Sequence, residues 1–146
     1  MHKLMKIAVK KTDPRAILPT YGSDAAAGAD LYALEGLTVA PGATVFAHTG
    51  VACAIPAGYA GFVFARSGIA CKRDLAPANK VGVIDADYRG EILVALHNHG
   101  AETREIAAGE RIAQLVILPV PACTFEETDE LPETTRGAGG FGSTGT

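Results

Sequence analysis

Glycine and proline interrupt this chain about every eight to twelve residues, and the runs between them are short and rich in Val, Ile, Ala and Phe. Punctuation that dense leaves no room for long helices, and it gives the pattern of an all-β barrel or sandwich. Strands are expected over residues 6–11, 29–34, 37–40, 43–55, 60–66, 81–84, 91–98 and 111–120. No segment sustains a 3.6-residue apolar period, and residues 68–75 fit only one short helical turn.

With 146 residues the chain is expected to form one domain with a real core. Its net charge of −3, with both signs mixed along the sequence, argues against a nucleic-acid surface, which needs a basic stripe. A small anionic ligand held by a few placed cations stays possible. Cys53, Cys71 and Cys123 are odd in number and lack CxxC spacing, so neither a disulfide framework nor a zinc site is indicated. No N-terminal stretch resembles a signal peptide, and no run approaches the roughly 20 apolar residues of a membrane span. A soluble, cytoplasmic protein without membrane partners is expected.

The composition changes after residue 118. Residues 119–135 carry five acidic side chains and no basic one, with two prolines close together, and read as an extended solvated arm. In residues 136–146 five of eleven are glycine, too little apolar surface to order by itself. The letters of this tail approach a P-loop but lack its lysine and its flanking strand and helix, which excludes a Walker-type site. Glycine amides can still approach phosphate oxygens, and Arg136 supplies charge.

Several segments carry candidate chemistry. In GVIDADYRGE (82–91), Val83 and Ile84 read as a short buried strand and Asp85 stands where it opens into a turn ending at Gly90. The apolar run after Gly90 completes a β-hairpin, with Tyr88 and Arg89 beside the carboxylate. Taken alone, Asp85 and Asp87 suit a plain turn better, since Asp accepts bonds from its own downstream backbone. ARSGIA (65–70) aims the Arg66 guanidinium, the Ser67 hydroxyl and backbone amides at one place, which suits a phosphate or an ordinary loop. Strict alternation puts Ile112, Gln114, Val116 and Leu118 on one face, where either a backbone group or a ligand must satisfy the Gln114 amide. Asp30 stands at a strand start, as a cap or as a carboxylate holding water around a metal. His97 and His99 share a face without a third ligand in view. No nucleophile triad is present.

Five motifs, AGADLYA (27–33), ARSGIA (65–70), NKVGVIDADYRGEI (79–92), GERIAQLVI (109–117) and RGAGGFGSTG (136–145), occur in the order found in the trimeric dUTPase family, which this chain resembles from about Ala27 to its end. The resemblance implies a jelly-roll-like (β-clip) barrel over residues 1–118, a homotrimer with C-terminal arm exchange through residues 119–135, and a phosphate-closing tail over 136–146. It implies hydrolysis of dUTP to dUMP and pyrophosphate, which keeps uracil out of DNA and supplies dUMP for thymidylate synthesis. Asp85 matches the general base that activates water for attack on the α-phosphorus. Uracil is expected against the main chain of Gly82, Val83, Ile84 and Leu93, with Asn79 fixing it through water and Tyr88 under the deoxyribose. Arg66, Ser67, Gly68 and Gln114 match phosphate binders. Arg136, Phe141, Gly142 and Ser143 match the tail, with Phe141 over uracil. Mg²⁺ is the implied cofactor, bridging the phosphates, with Asp30 in contact only through water. The alternatives are a dCTP deaminase-like enzyme, which needs its carboxylate near the base's C4, and a non-catalytic nucleotide-binding trimer, which should have lost Asp85 or Arg136.

Overall fold

The computed structural model describes residues 4–143 and 145, so the outermost ends of the expected barrel and tail lie outside the described residues. The chain is mostly β, as its punctuation predicts. The described residues form twelve short strands and one helix: β1 (Ala8–Lys11), β2 (Thr20–Tyr21), β3 (Ala29–Tyr32), β4 (Leu37–Val39), β5 (Thr44–His48), β6 (Val51–Ala54), β7 (Tyr59–Phe64), α1 (Ser67–Arg73), β8 (Leu75–Pro77), β9 (Gly82–Ile84), β10 (Leu93–Asn98), β11 (Arg104–Ile106) and β12 (Arg111–Pro119).

The largest sheet runs β2-β3-β12-β7-β9, and a second runs β5-β10-β8. Two smaller ladders, β1-β6 and β11-β4, complete the structure, and every pairing is antiparallel. The core draws on both large sheets: Leu31, Val63, Ile112 and Leu115 from the first, Leu75, Val94 and Leu96 from the second. Burying side chains of this size contributes about 1.5–3 kcal/mol each. Cys53 is buried and Cys71 and Cys123 are exposed, all three as free thiols, and burial pushes the Cys53 thiol up. Among the described residues no helix is long and apolar enough to cross a membrane.

The structure departs from the sequence reading at five places. The run 43–55 is two strands, because Gly50 takes a left-handed φ of 69° and turns the chain after Thr49. Residues 67–73 make a seven-residue helix rather than a single turn, with Ile69 buried and Asp74 closing it in the left-handed region. β2, β8 and β11 were not expected. Each is two or three residues long and takes its conformation from a neighbouring strand.

The fourth departure is a register shift between Arg111 and Ala113, which lets Ile112 and Ala113 both be buried. Ile112 therefore lies in the core, apart from Gln114. The fifth concerns the expected hairpin. β9 and β10 do not pair; β9 is the edge strand beside β7, and β10 lies between β5 and β8. The turn 85–92 thus crosses from one sheet to the other and holds their edges apart.

Candidate functional site

The gap between β9 and β10 is a cavity of about 220 Å³. Asn79, Gly82, Val83 and Ile84 line one side, Leu93, Val94 and Ala95 the other, and Asp85 and Tyr88 stand at the turn. The Ala95 carbonyl accepts from the Ala78 amide at 2.7 Å on the β8 edge of β10. A strand's polar groups alternate between its two edges, so those of Leu93 face the same edge, beyond the last residue of β8. The cavity therefore offers main-chain donors and acceptors. Val83, expected buried, is 62% exposed, and Tyr88 and Leu93 are also exposed, so the walls present apolar surface to an occupant.

Local chemistry shapes the turn. The Tyr88 amide donates to the Asp85 carbonyl at 3.1 Å, and the Tyr88 hydroxyl donates to the Glu91 carbonyl at 2.8 Å. The ring folds back over Gly90, where a Cβ would lie 2.5 Å from the hydroxyl oxygen, so only glycine fits beneath it. Arg89 is directed elsewhere: its guanidinium donates to the carbonyls of Ala86 and Tyr88 at 2.6 and 3.0 Å and braces the turn. Asp85 is exposed at the mouth.

A second cavity of about 220 Å³ lies where β3, β12 and the segment after β7 meet, and it gathers Asp30, Arg66, Ser67, Arg111 and Gln114. Asp30 and Gln114 are register partners, so their side chains share a face. Asp30 is buried, and its Oδ1 accepts from Arg66 Nε at 2.7 Å while Oδ2 lies 3.6 Å from Arg111 Nη1. Burying that carboxylate requires such partners. Gln114 Nε2 donates to the Ala65 carbonyl at 2.8 Å, so a backbone group answers its need for a partner. Its amide oxygen presses against Gly28, where a Cβ would meet it at 2.5 Å. Gly68 lines an adjoining cleft with Arg66 and Arg111. Arg111 escaped the sequence reading because it sits at a bulge, where alternation does not predict side-chain direction.

Arg136, Phe141, Gly142 and Ser143 line neither cavity. Arg136 Nε donates to the Gly139 carbonyl at 2.7 Å, and Phe141 is fully exposed. His97 and His99 have ring centroids 4.5 Å apart, and His97 Nδ1 lies 2.9 Å from Thr44 Oγ1. Among the described residues no group of three or more His, Cys, Asp or Glu could hold a metal ion.

Comparison with known proteins identifies the family. A dUTPase family profile matches residues 14–145. The deoxyuridine 5′-triphosphate nucleotidohydrolase of Desulfitobacterium hafniense is 54% identical over 144 residues, covering 97% of this chain and 95% of that one. That of Syntrophotalea carbinolica is 48% identical over 145 residues, covering 98% and 99%. Among solved structures, a Staphylococcus bacteriophage 80alpha dUTPase mutant with dUpNHpp superposes with a TM-score of 0.91 at 28% identity, covering 97% of this chain and 99% of that one. A mutant dUTPase from S. aureus phage phi11, described for its coordination of a structural Mg(II) ion, gives 0.80 at 26% identity, covering 86% and 98%. With the profile spanning most of the sequence and the relatives matching nearly end to end, the chain belongs to the dUTPase family.

Proposed function

We propose that the chain hydrolyses dUTP to dUMP and pyrophosphate, with Asp85 orienting and deprotonating the water that attacks the α-phosphorus. Family membership makes it a dUTP diphosphatase. The observation that carries the mechanism is the gap between β9 and β10, with main-chain polar groups on its walls and the Asp85 carboxylate at its mouth. Uracil pairs its alternating donors and acceptors with the strand backbones, with Asn79 assisting through water. Cytosine would set donor against donor, and buried groups left unpaired give discrimination of about 10⁴. Thymine's methyl is rejected by crowding within the small cavity between the two strands. The Tyr88 ring lies under the sugar and leaves no space for a 2′-hydroxyl.

The phosphates are received by Arg66, Ser67, Gly68 and Gln114. The cavity with Asp85 and the cavity with Arg66 share no lining residue. Ile84 stands opposite Gly61, so the antiparallel register carries Asp85 level with Ala60, and Arg66 lies six residues beyond Ala60; at about 3.3 Å per residue the backbones of Asp85 and Arg66 are up to roughly 20 Å apart. A nucleotide with its uracil in one cavity and its phosphates in the other therefore takes them from two copies of the chain. This supports a homotrimeric β-clip barrel with three shared sites. In that arrangement residues 1–118 form the barrel and the acidic arm 119–135 carries the tail 136–146 to a neighbour. There Phe141 covers uracil while Arg136, Gly142 and Ser143 close on the outer phosphates.

The residues present fit Mg²⁺ held chiefly by phosphate and water, since no carboxylate cage exists among the described residues and Asp30 is already engaged by two guanidiniums. Asp30 would meet it only through water, and the ion would neutralise phosphate charge. Removing dUTP keeps uracil out of DNA, and dUMP serves thymidylate synthesis in the cytoplasm.

Product analysis tests the reading. Incubation with dUTP, dTTP, dCTP and UTP should give dUMP and pyrophosphate from dUTP alone, suppressed by EDTA. Ammonia from dCTP would support a deaminase instead, and binding without turnover a non-catalytic trimer.

A further inference from the structure

The wall that carries Tyr88 is anchored by a carboxylate with no part in the proposed chemistry. Glu91 lines the first cavity, and its side chain is 22% exposed. Its Oε1 accepts from the Gly50 amide at 2.8 Å, and its Oε2 lies 2.8 Å from His48 Nδ1. Thr49, between those two partners, donates from Oγ1 to the Ile92 carbonyl at 2.6 Å, and the Ile92 amide donates to the Val51 carbonyl at 2.8 Å. The turn between β5 and β6 thus grips residues 91 and 92 through side chains and backbone together.

On its other side Glu91 receives Tyr88. The phenol hydroxyl donates to the Glu91 carbonyl, so the tilt of the ring depends on where that carbonyl stands. Gly90 offers no side chain to hold the ring, only space for it. The path to the sugar wall runs from the buried Gly50 amide and the half-exposed His48 ring through the Glu91 carboxylate and main chain to the Tyr88 ring. Because Leu93 is the register partner of His48, the same clamp fixes the start of the strand edge that faces the cavity.

We propose that Glu91 is a positioning residue for sugar selection: its bonds to Gly50 and His48 hold the carbonyl that sets the Tyr88 ring, and so set the discrimination of dUTP against UTP. The inference rests on the dUTPase reading above. It concerns geometry rather than charge, so an isosteric amide should serve. In Glu91→Gln the amide oxygen can accept from Gly50 and the amide nitrogen can face the His48 ring.

The test is the ratio of kcat/KM for dUTP over that for UTP, measured on wild type, Glu91→Ala, Glu91→Gln and His48→Ala, with thermal melting alongside. Glu91→Ala should lower the ratio on the order of tenfold, the scale of one or two lost hydrogen bonds, through a better KM for UTP more than a lower kcat for dUTP. Glu91→Gln should restore most of it. His48→Ala removes a half-exposed partner without threatening the core, and should lower the ratio about threefold even if Glu91→Ala fails to fold. A wild-type ratio in both alanine variants, or a Glu91→Gln ratio as low as that of Glu91→Ala, overturns the proposal. Wild type that leaves dUTP intact overturns the dUTPase reading itself, and this inference with it.

Discussion

Arg66 Nε donates to Asp30 Oδ1 at 2.7 Å, a bond that ties the segment after β7 to β3 and fixes the direction of the guanidinium. Both side chains are largely buried, so removing the carboxylate strands a charge. Asp30→Ala should cost about 1–3 kcal/mol, between the values for surface and buried pairs. It should also raise the KM for dUTP about tenfold, because Arg66 loses its orientation. Chemical denaturation and steady-state kinetics check the two effects separately. A stable variant with unchanged KM would show that Arg66 does not depend on Asp30.

Asp85 stands exposed at the mouth of the cavity, with no contact that the fold requires of its side chain. Asp85→Asn should therefore fold and bind dUTP as wild type does while losing at least about 10² in turnover, the usual scale for loss of a general base. Calorimetric binding of a non-hydrolysable dUTP analogue, paired with single-turnover assays, separates the two. Normal hydrolysis by this variant would remove Asp85 from the role of base.

Deleting residues 136–146 removes Arg136 and Phe141, whose side chains touch neither cavity of their own chain. The truncated protein should melt within about 2 °C of wild type, since surface segments contribute little to stability. Its dUTPase activity should fall at least about tenfold, because in the proposed site the tail would supply charge to the outer phosphates. Full activity would show the tail to be an ordinary chain end.

Acid should weaken the fold through two carboxylates. The hydrogen bond from the Arg15 side chain lowers Asp13 from 3.8 to about 2. Burial pushes Glu110 up, but the Arg73 guanidinium at 2.8 Å and the Ala107 amide at 3.2 Å outweigh it and hold its carboxyl below the usual 4.5. Both groups bind protons less readily folded than unfolded. Their contribution is complete above the ordinary carboxylate range and is lost as the pH falls through the folded values. Melting temperature should be level from about pH 7 to 5 and fall below that. Glu110→Gln should flatten the upper part of the fall, and an unchanged profile would contradict the assignment.

How much of this was legible in the sequence depended on the range of the interactions involved. Short β-rich runs between glycines and prolines gave the class, because turn chemistry is local. Asp85, Tyr88, Arg66 and Gln114 sit in motifs whose neighbours shape them, and the structure places them at two cavities. The pairing of β9 with β7 rather than β10 was hidden, since the best local turn in the chain turned out to bridge two sheets. β2, β8 and β11 were hidden because each is only two or three residues long and owes its conformation to the strand it pairs with. Arg111 was lost at a bulge, and Glu91 was passed over because a charged residue after a turn reads as a solvated side chain until Gly50 and His48 are beside it.

The measurement that bears most directly on a shared site is complementation. Asp85→Asn and Arg66→Ala proteins, each expected to be nearly inactive, would be mixed, dissociated and reassembled, or co-expressed with different tags and purified through both. If Asp85 of one copy works with Arg66 of another, mixed assemblies contain sites with both native residues and should recover a substantial fraction of wild-type dUTP turnover. If each chain carried a complete site, every site would lack one residue or the other. The mixture would then be no more active than the sum of its parts, and that result would contradict the account.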